Sequence, residues 1–355
     1  MMKSRKDFDV IIVGAGIAGA SLLFILSRFS NVRNIGLLEK EKDIAKGNSY
    51  FEYNSKTLHE GFAETNYSFA KMKRMKFASS MVKNYLVKRF GFIPNFHEFK
   101  GSVAYHLPFF VIAIENEIDF LEKKFEQIKM LFPDVELISK KELEIMEPKI
   151  IEGRKEEIVA LYKKNGVAIN FGSLAKYLIN DSLNENIPIY LDNEVRDIKI
   201  IDDKIIVKTN KEEFSCNFLI FTASSNSYYF AKKMGFLNEY GLIHVRGNYY
   251  RYPLVLKSKV YRIQIEKIPF VAIHADPNPF ITEPILEFGP TAKLCFSKKL
   301  LKDFDLEYFI EDFLSNYRLM NSLVNLLKES EIRRFMFKNL FTNYLCLARS
   351  SLLKK

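Results

Sequence analysis

The chain has 355 residues, 48% of them hydrophobic and 27% charged, with 32 Phe, 18 Tyr, 15 Gly and 11 Pro. At about 100–200 residues per domain this is two domains, or one large α/β body with an inserted layer, and it excludes a collagen, a disordered tail and a small disulfide scaffold. Cys216, Cys295 and Cys346 stand far apart with no CxxC, so neither a zinc cluster nor a disulfide framework is expected and a reducing, cytoplasmic compartment fits. The net charge of +10 favours anionic partners, but no zinc finger or RNA-recognition motif accompanies it, and no nucleic-acid function is expected.

Val10 to Leu26 is an apolar run with basic residues before it, which a signal peptide also shows. Asp7 and Asp9 abut it and Gly14, Gly16 and Gly19 interrupt it, which suits a tight strand-to-helix turn better than an isolated helix. Asp9–Val13 therefore predicts a strand buried on both faces, followed by a helix with Ile17, Leu22, Leu23, Leu26 and Phe29 on its apolar side and a second strand, Ile35–Leu38. A longer amphipathic helix is expected from Tyr67 to Phe90, with Phe69, Met72, Met75, Met81, Val82 and Leu86 on one side. Seven basic residues and no acidic one lie between Thr65 and His97.

Further along, the pattern predicts a strand pair in Gly101–Ile114, a helix from Glu117 to Leu131, and a short helix opened by a Ser139/Glu142 capping box and ended near Pro148. A helix is expected within Gly166–Asn186, then a meander of Ile187–Leu191, Glu194–Ile201 and Lys204–Thr209 turning at Asp202-Asp203. Phe218–Phe221 reads as a second fully buried strand, Ser224–Gly235 as a helix, Gly241–Phe296 as β-rich and Leu301–Leu327 as helical.

The strongest signal is Gly14-Ala15-Gly16-Ile17-Ala18-Gly19 directly after a buried strand, with Glu39 at the end of the next one. Gly14 permits the tight turn, Gly16 lets backbone approach a pyrophosphate, and Gly19 permits close helix-to-sheet packing. The amides at the helix start face phosphate charge, and Glu39 can accept hydrogen bonds from a ribose diol. FAD and NAD both fit these glycines. The polar, aromatic stretch Asn48–Tyr67 lacks βα periodicity, which favours lining a redox ring over extending a sheet.

These residues carry a resemblance. Asp9-Val-Ile-Ile-Val-Gly-Ala-Gly with Glu39, Asn54-Ser-Lys-Thr-Leu-His-Glu-Gly, Glu64-Thr-Asn-Tyr, Gly166-Val-Ala-Ile-Asn-Phe-Gly-Ser-Leu, Asn193-Glu-Val-Arg-Asp-Ile, Phe218-Leu-Ile-Phe-Thr-Ala, Ile273-His-Ala-Asp-Pro and Phe288-Gly-Pro-Thr-Ala resemble, in order, blocks of the D-amino-acid-oxidase-like flavoproteins and, within them, the malate:quinone oxidoreductases. The resemblance implies an α/β fold: a Rossmann-like FAD-binding domain with an interleaved mixed β-sheet substrate domain. The expected divisions are 1–66 and 166–240 for the FAD-binding domain, 67–165 for a substrate or cap region, 241–300 for the substrate sheet and 301–355 for a helical tail.

It further implies FAD as cofactor, malate or a similar small 2-hydroxy acid as substrate, and a membrane quinone as electron acceptor. Gly14, Ala15, Gly16, Gly19, Glu39 and Lys40 would hold the ADP half, Ser55 and Thr57 would approach the flavin, Val195 would meet the adenine region, and Ala223 would lie beside the cofactor. Such chemistry needs a cationic clamp, for which Arg246 is the candidate, and a proton acceptor, for which His274 is the first candidate and His59 the substitute. The basic helix could dock on an anionic leaflet, on the inner face of the cytoplasmic membrane, while its simpler reading is a solvated face.

Two departures bear on this reading. Ser224 stands where the family usually has glycine, and the family's final glycine-rich segment has no counterpart, so a shortened chain is expected. The alternatives are a non-catalytic remnant of such a flavoprotein, a related FAD-dependent 2-hydroxy-acid or amine oxidoreductase, and an NAD-dependent dehydrogenase.

Overall fold

The computed structural model describes residues 5–98, 100–182, 187–264, 273–291, 293–295, 297, 305–314, 316–330 and 332–334. The expected tail at 341–355 lies outside these residues. The chain divides into two compact units, Met1–Thr57 with Ile169–Asn238 and Leu58–Ala168 with Glu239–Lys355. Residues 58–66, 166–168 and 239–240 thus group with the second unit, where the sequence-based division put them in the FAD-binding domain.

In chain order the first unit opens with β1 (Lys6–Val13), α1 (Ile17–Phe29) and β2 (Ile35–Leu38). The second contributes α2 (Phe69–Phe90), β3 (Ala104–Ile114), α3 (Ile118–Ile128), β4 (Glu136–Ser139), α4 (Lys140–Met146), α5 (Pro148–Ile151) and β5 (Ile158–Ile169). The first unit resumes with α6 (Phe171–Ser182), β6 (Ile189–Tyr190), β7 (Val195–Ile201), β8 (Lys204–Thr209), β9 (Glu213–Phe221) and α7 (Asn226–Lys233). The second ends with β10 (His244–Arg246), β11 (Tyr250–Pro253), β12 (Lys259–Arg262), β13 (His274–Asn278), β14 (Ile285–Gly289), β15 (Lys293–Cys295), α8 (Leu306–Phe309) and α9 (Tyr317–Lys328).

In the first unit the sheet order is β6-β2-β1-β9-β8-β7. β1 is central, with β2 and β9 parallel to it on either side, which is why DVIIV needs no polar alternation. Phe8, Ile11, Val13, Leu38, Val195, Val207, Phe214 and Cys216 form one buried cluster there, and each large side chain so buried contributes about 1.5–3 kcal/mol. Because β1, β2 and β9 run parallel, their carboxyl ends share one edge, and the strand order reverses at β1; such a switch point is where open α/β sheets receive ligands.

Burial pushes the Cys216 thiol up to about 11. We predict that native protein at neutral pH leaves Cys216 unmodified by iodoacetamide while urea-unfolded chain is alkylated there; rapid native labelling at Cys216 would contradict this.

The second unit holds a seven-stranded sheet, β11-β14-β13-β12-β3-β5-β4, and a separate β10-β15 pair. Alternation along β3 sends Phe109, Val111 and Ala113 to a face shared with Met72 of α2, Leu121 and Ile128 of α3, and Phe132, while Phe110 and Ile112 pack with Leu143, Ile150 and Ile151 on the other. With both faces covered, Ala104–Ile114 is one continuous strand and not the expected strand pair. The capping box holds: Ser139 accepts from the Glu142 amide and the Glu142 carboxylate accepts from the Ser139 amide at 2.7 Å.

The helix expected within Gly166–Asn186 is α6, and Gly166–Ile169 before it is the end of β5, where a Cβ at Gly166 would come within 2.9 Å of the Leu107 carbonyl. Other expectations are corrected. β6 leaves the meander to pair parallel with β2, so only β7 and β8 form the hairpin, turning at Asp202 and Asp203 with φ of 49° and 61°. The buried part of β9 is Phe214–Cys216, and Phe218 is exposed. Phe29 of α1 and Phe69 and Met81 of α2 are likewise exposed, since the inward stripes are Leu23 with Gly19 and Ala20, and Met72 with Ser79 and Leu86.

Candidate functional site

The glycine loop sits at the switch point. Gly14 has φ +108°, and a Cβ there would lie 2.8 Å from the Thr222 carbonyl oxygen. A Cβ at Gly19 would lie 1.9 Å from the Gly14 carbonyl oxygen, so the first turn of α1 is pressed against the loop. Glu39 is buried at the end of β2 and holds the loop from below, accepting from the Ala15 amide at 2.7 Å and from the Glu41 amide at 2.9 Å. Each carboxylate oxygen has a second lone pair, which leaves acceptor capacity for a diol.

The structure brings Gly14, Ala15, Gly16, Gly19, Glu39, Val195 and Ala223 to this edge. Val195 arrives because the Asn193 amide, two residues before it, donates to the Glu39 carbonyl at 2.8 Å. Ala223 arrives because its Cα would be 3.3 Å from a Gly14 Cβ. Lys40 points to solvent, 3.7 Å from the Glu41 carboxylate.

Sequence reasoning missed three groups here. The Ser49 hydroxyl accepts from the Ile17 amide at 2.9 Å, which places a hydroxyl at the amide end of α1. Thr222 donates to the carbonyls of Val13 and Gly14, both at 2.9 Å, and so ties β9 to the loop. Asn48 donates to the Ser224 hydroxyl at 2.8 Å, and Ser224 has φ +55°, the left-handed backbone a glycine would also adopt. No local pattern marks these residues, because each partner lies 32 to 209 residues away in sequence. A glycine-floored loop, helix amides, a hydroxyl beside them and a buried acid fit the ADP half of a dinucleotide.

Between the loop and α2, Lys56 has φ +56° and is buried, its ammonium donating to the Asn54 carbonyl at 2.9 Å and the Phe51 carbonyl at 3.3 Å. Ser55 is half-buried and its carbonyl accepts from the Thr57 hydroxyl at 3.2 Å. In the second unit, His59 Nδ1 meets the buried Glu64 carboxylate, while the His59 side chain stays 39% exposed.

His274 is set differently. It is buried, its ring stacks on Tyr261 at 4.3 Å, and Nε2 lies 3.2 Å from the Tyr249 hydroxyl and 3.3 Å from Asp276 Oδ2. Burial, with the carboxylates of Asp276 and Glu287, pushes the Tyr249 phenol well above its ordinary range, so it stays protonated. A charged row crosses this part of the sheet: Arg251 opposite Glu287, Glu287 opposite Asp276, and Lys259 Nζ 3.1 Å from Asp276 Oδ1. Arg246 is half-buried on β10, on a different sheet from His274; Gly247 and Asn248 pack on Pro290 and Thr291 and lead the chain to Tyr249.

Lys259 and Asp276 are both essentially inaccessible. Lys259→Met is therefore expected to destabilise the protein by about 3–5 kcal/mol, since it strands a buried carboxylate. A urea midpoint equal to the parent's would contradict that.

The family model described as malate:quinone oxidoreductase matches residues 6–344. The chain belongs to the malate:quinone oxidoreductase family. A probable malate:quinone oxidoreductase of Campylobacter jejuni is 30% identical over 95% of this chain and 76% of its own length. The malate:quinone oxidoreductase of Helicobacter pylori strain 26695 is 29% identical over 94% and 75%. Among solved structures, an L-α-glycerophosphate oxidase of Mycoplasma pneumoniae with FAD bound superposes with a TM-score of 0.61 at 21% identity, covering 81% of this chain and 72% of that one. A glycine oxidase of Geobacillus kaustophilus does so with the same TM-score at 19% identity and the same coverage. These likenesses establish the fold: two mixed α/β units with a Rossmann-like nucleotide-binding half, as the malate:quinone oxidoreductase resemblance implied.

Proposed function

We propose that the protein oxidises (S)-malate to oxaloacetate and passes the electrons through FAD to a quinone. The observation that carries this reading is the family match over residues 6–344, joined to a glycine loop with the geometry a dinucleotide needs. FAD, when bound, supplies the acceptor for hydride from the hydroxyl-bearing carbon.

The chain's own residues would do the rest. Gly14, Gly16 and the α1 amides would receive the diphosphate, with Ser49 beside them and Glu39 on the ribose. The malate hydroxyl proton needs an acceptor, and the arrangement supports His59 over His274. Glu64 fixes Nδ1 of His59 and orients Nε2 for a proton, the usual carboxylate–imidazole division of labour. His274 already has two polar neighbours on Nε2. Arg246 remains the proposed clamp for the substrate carboxylates. Ser55, Thr57, Val195 and Ala223 remain proposed cofactor contacts.

No helix among the described residues is long and apolar enough to cross a membrane. A quinone acceptor would then be met from the membrane surface. Purified protein should reduce a soluble quinone analogue on addition of malate with no nicotinamide nucleotide present. Turnover that requires NAD, or that proceeds with a D-amino acid or glycerol phosphate and not with malate, would overturn the proposal.

A further inference from the structure

The segment Leu58–Thr65 is neither helix nor strand, yet every residue in it except His59 is buried. Connecting loops normally run over the surface, because a buried one has to satisfy its polar groups from within the protein. Both ends of this one are fastened by hydrogen bonds. The Leu58 amide donates to the Val167 carbonyl at 2.9 Å, while the Thr65 hydroxyl donates to the Gln264 carbonyl at 3.0 Å and accepts from the Gln264 amide at 2.7 Å.

The middle of the loop is held by charge. Glu60, next to His59, turns inward, and its Oε2 accepts from Lys83 of α2 and lies 3.3 Å from Lys163 Nζ of β5. The Lys163 side chain is only 4% exposed; it also pairs with Asp134 and lies 5.4 Å from the centre of the Phe62 ring in the same loop. Burial alone would raise the Asp134 carboxyl, but the Lys163 ammonium beside it brings it below its ordinary range. A Cβ at Gly61 would lie 3.0 Å from the Met72 carbonyl, so the loop is pressed against α2 as well.

A buried ion pair adds little stability over well-packed apolar side chains of the same volume. Two lysines and a glutamate beneath a loop whose one outward side chain is an imidazole serve another end, which is to fix where that imidazole stands. Glu60 adjoins His59 in the chain, so a displaced Glu60 takes His59 with it.

We infer that Lys163 and Lys83 are positioning residues for His59, acting through Glu60, which they anchor beneath the loop. This deepens the proposed function and rests on it, since the imidazole so placed is the acceptor of the malate hydroxyl proton.

Lys163→Met removes the inner cation and is the first test. It should lower kcat on malate by about 10- to 100-fold, as a misplacement on the order of 1 Å does, with KM and flavin content unchanged. Amide hydrogen exchange read by mass spectrometry should quicken about ten-fold or more in Leu58–Thr65 and stay at the parent's rate in β1 and β9. Lys163→Arg keeps the charge and should behave as the parent. Glu60→Gln/Lys163→Met leaves no carboxylate short of a partner, so its urea midpoint should match the parent's while the turnover loss and the quickened loop exchange persist.

Parent-like turnover in the double variant, loop exchange at the parent's rate in Lys163→Met, exchange that quickens evenly over the whole protein, or a Lys163→Arg as impaired as Lys163→Met would overturn the inference. A parent that oxidises no malate would instead overturn the redox reading, and the exchange rates alone would then decide whether the lysines hold the loop.

Discussion

Gly19→Ala is expected to yield a protein that retains no flavin and unfolds at lower urea than the parent. Two effects of opposite sign meet at this position. Within a helix, alanine is favoured over glycine by about 0.8–1 kcal/mol. Against that, the added Cβ would sit 1.9 Å from the Gly14 carbonyl oxygen and 2.7 Å from Thr222 Oγ1. The nearer atom is backbone, so no rotamer change relieves the clash, and overpacking of this kind costs about 1–3 kcal/mol or more.

The second term wins, and relief requires α1 to move off the loop. That movement displaces the Ala15 and Ile17 amides together with their anchors Glu39 and Ser49. Gly47→Ala is the matched control, because a Cβ there meets nothing within 4 Å. Flavin absorbance per chain and the urea midpoint should fall in Gly19→Ala and stay at the parent's level in Gly47→Ala. Full flavin occupancy in Gly19→Ala would contradict the geometry described for the loop.

His59→Asn should lower kcat on malate by about 100- to 10,000-fold while flavin content stays unchanged, the range general-base removal typically produces. Glu64→Gln should lose about 10- to 100-fold, since it keeps the imidazole but removes the anion that fixes its orientation.

His274→Asn is the comparison, and its expected effect falls mainly on stability, through the Tyr249, Tyr261 and Asp276 contacts. A loss of turnover in His274→Asn with near-parent rates in His59→Asn would reverse the assignment.

The glycine loop and Glu39 were legible in the sequence because their logic is local: strand, turn, helix and strand follow within a few tens of residues, and each glycine answers a backbone demand within that span. β3 was misread because a strand covered on both faces loses the alternation that marks one. The outward face of α2 was misread for a different reason. Met81 falls on the face opposite Met72 and Leu86, and Phe69 is exposed at the helix start, while Met75 and Val82 lie half-buried beside the inward stripe, so only burial shows where that stripe ends.

Ser49, Thr222 and the Asn48–Ser224 tie act across long chain separations, where no sequence period operates. The His59–Glu64 pairing lies within five residues, yet the sequence put His274 first, because a histidine's partner is decided by loop conformation and not by spacing.

The most direct measurement of the central claim is the absorption spectrum of the purified, anaerobic protein before and after addition of (S)-malate. The account predicts a bound-flavin spectrum that malate bleaches and a quinone analogue restores. A colourless protein that takes up no added FAD, or a bound flavin that malate leaves oxidised, would contradict it.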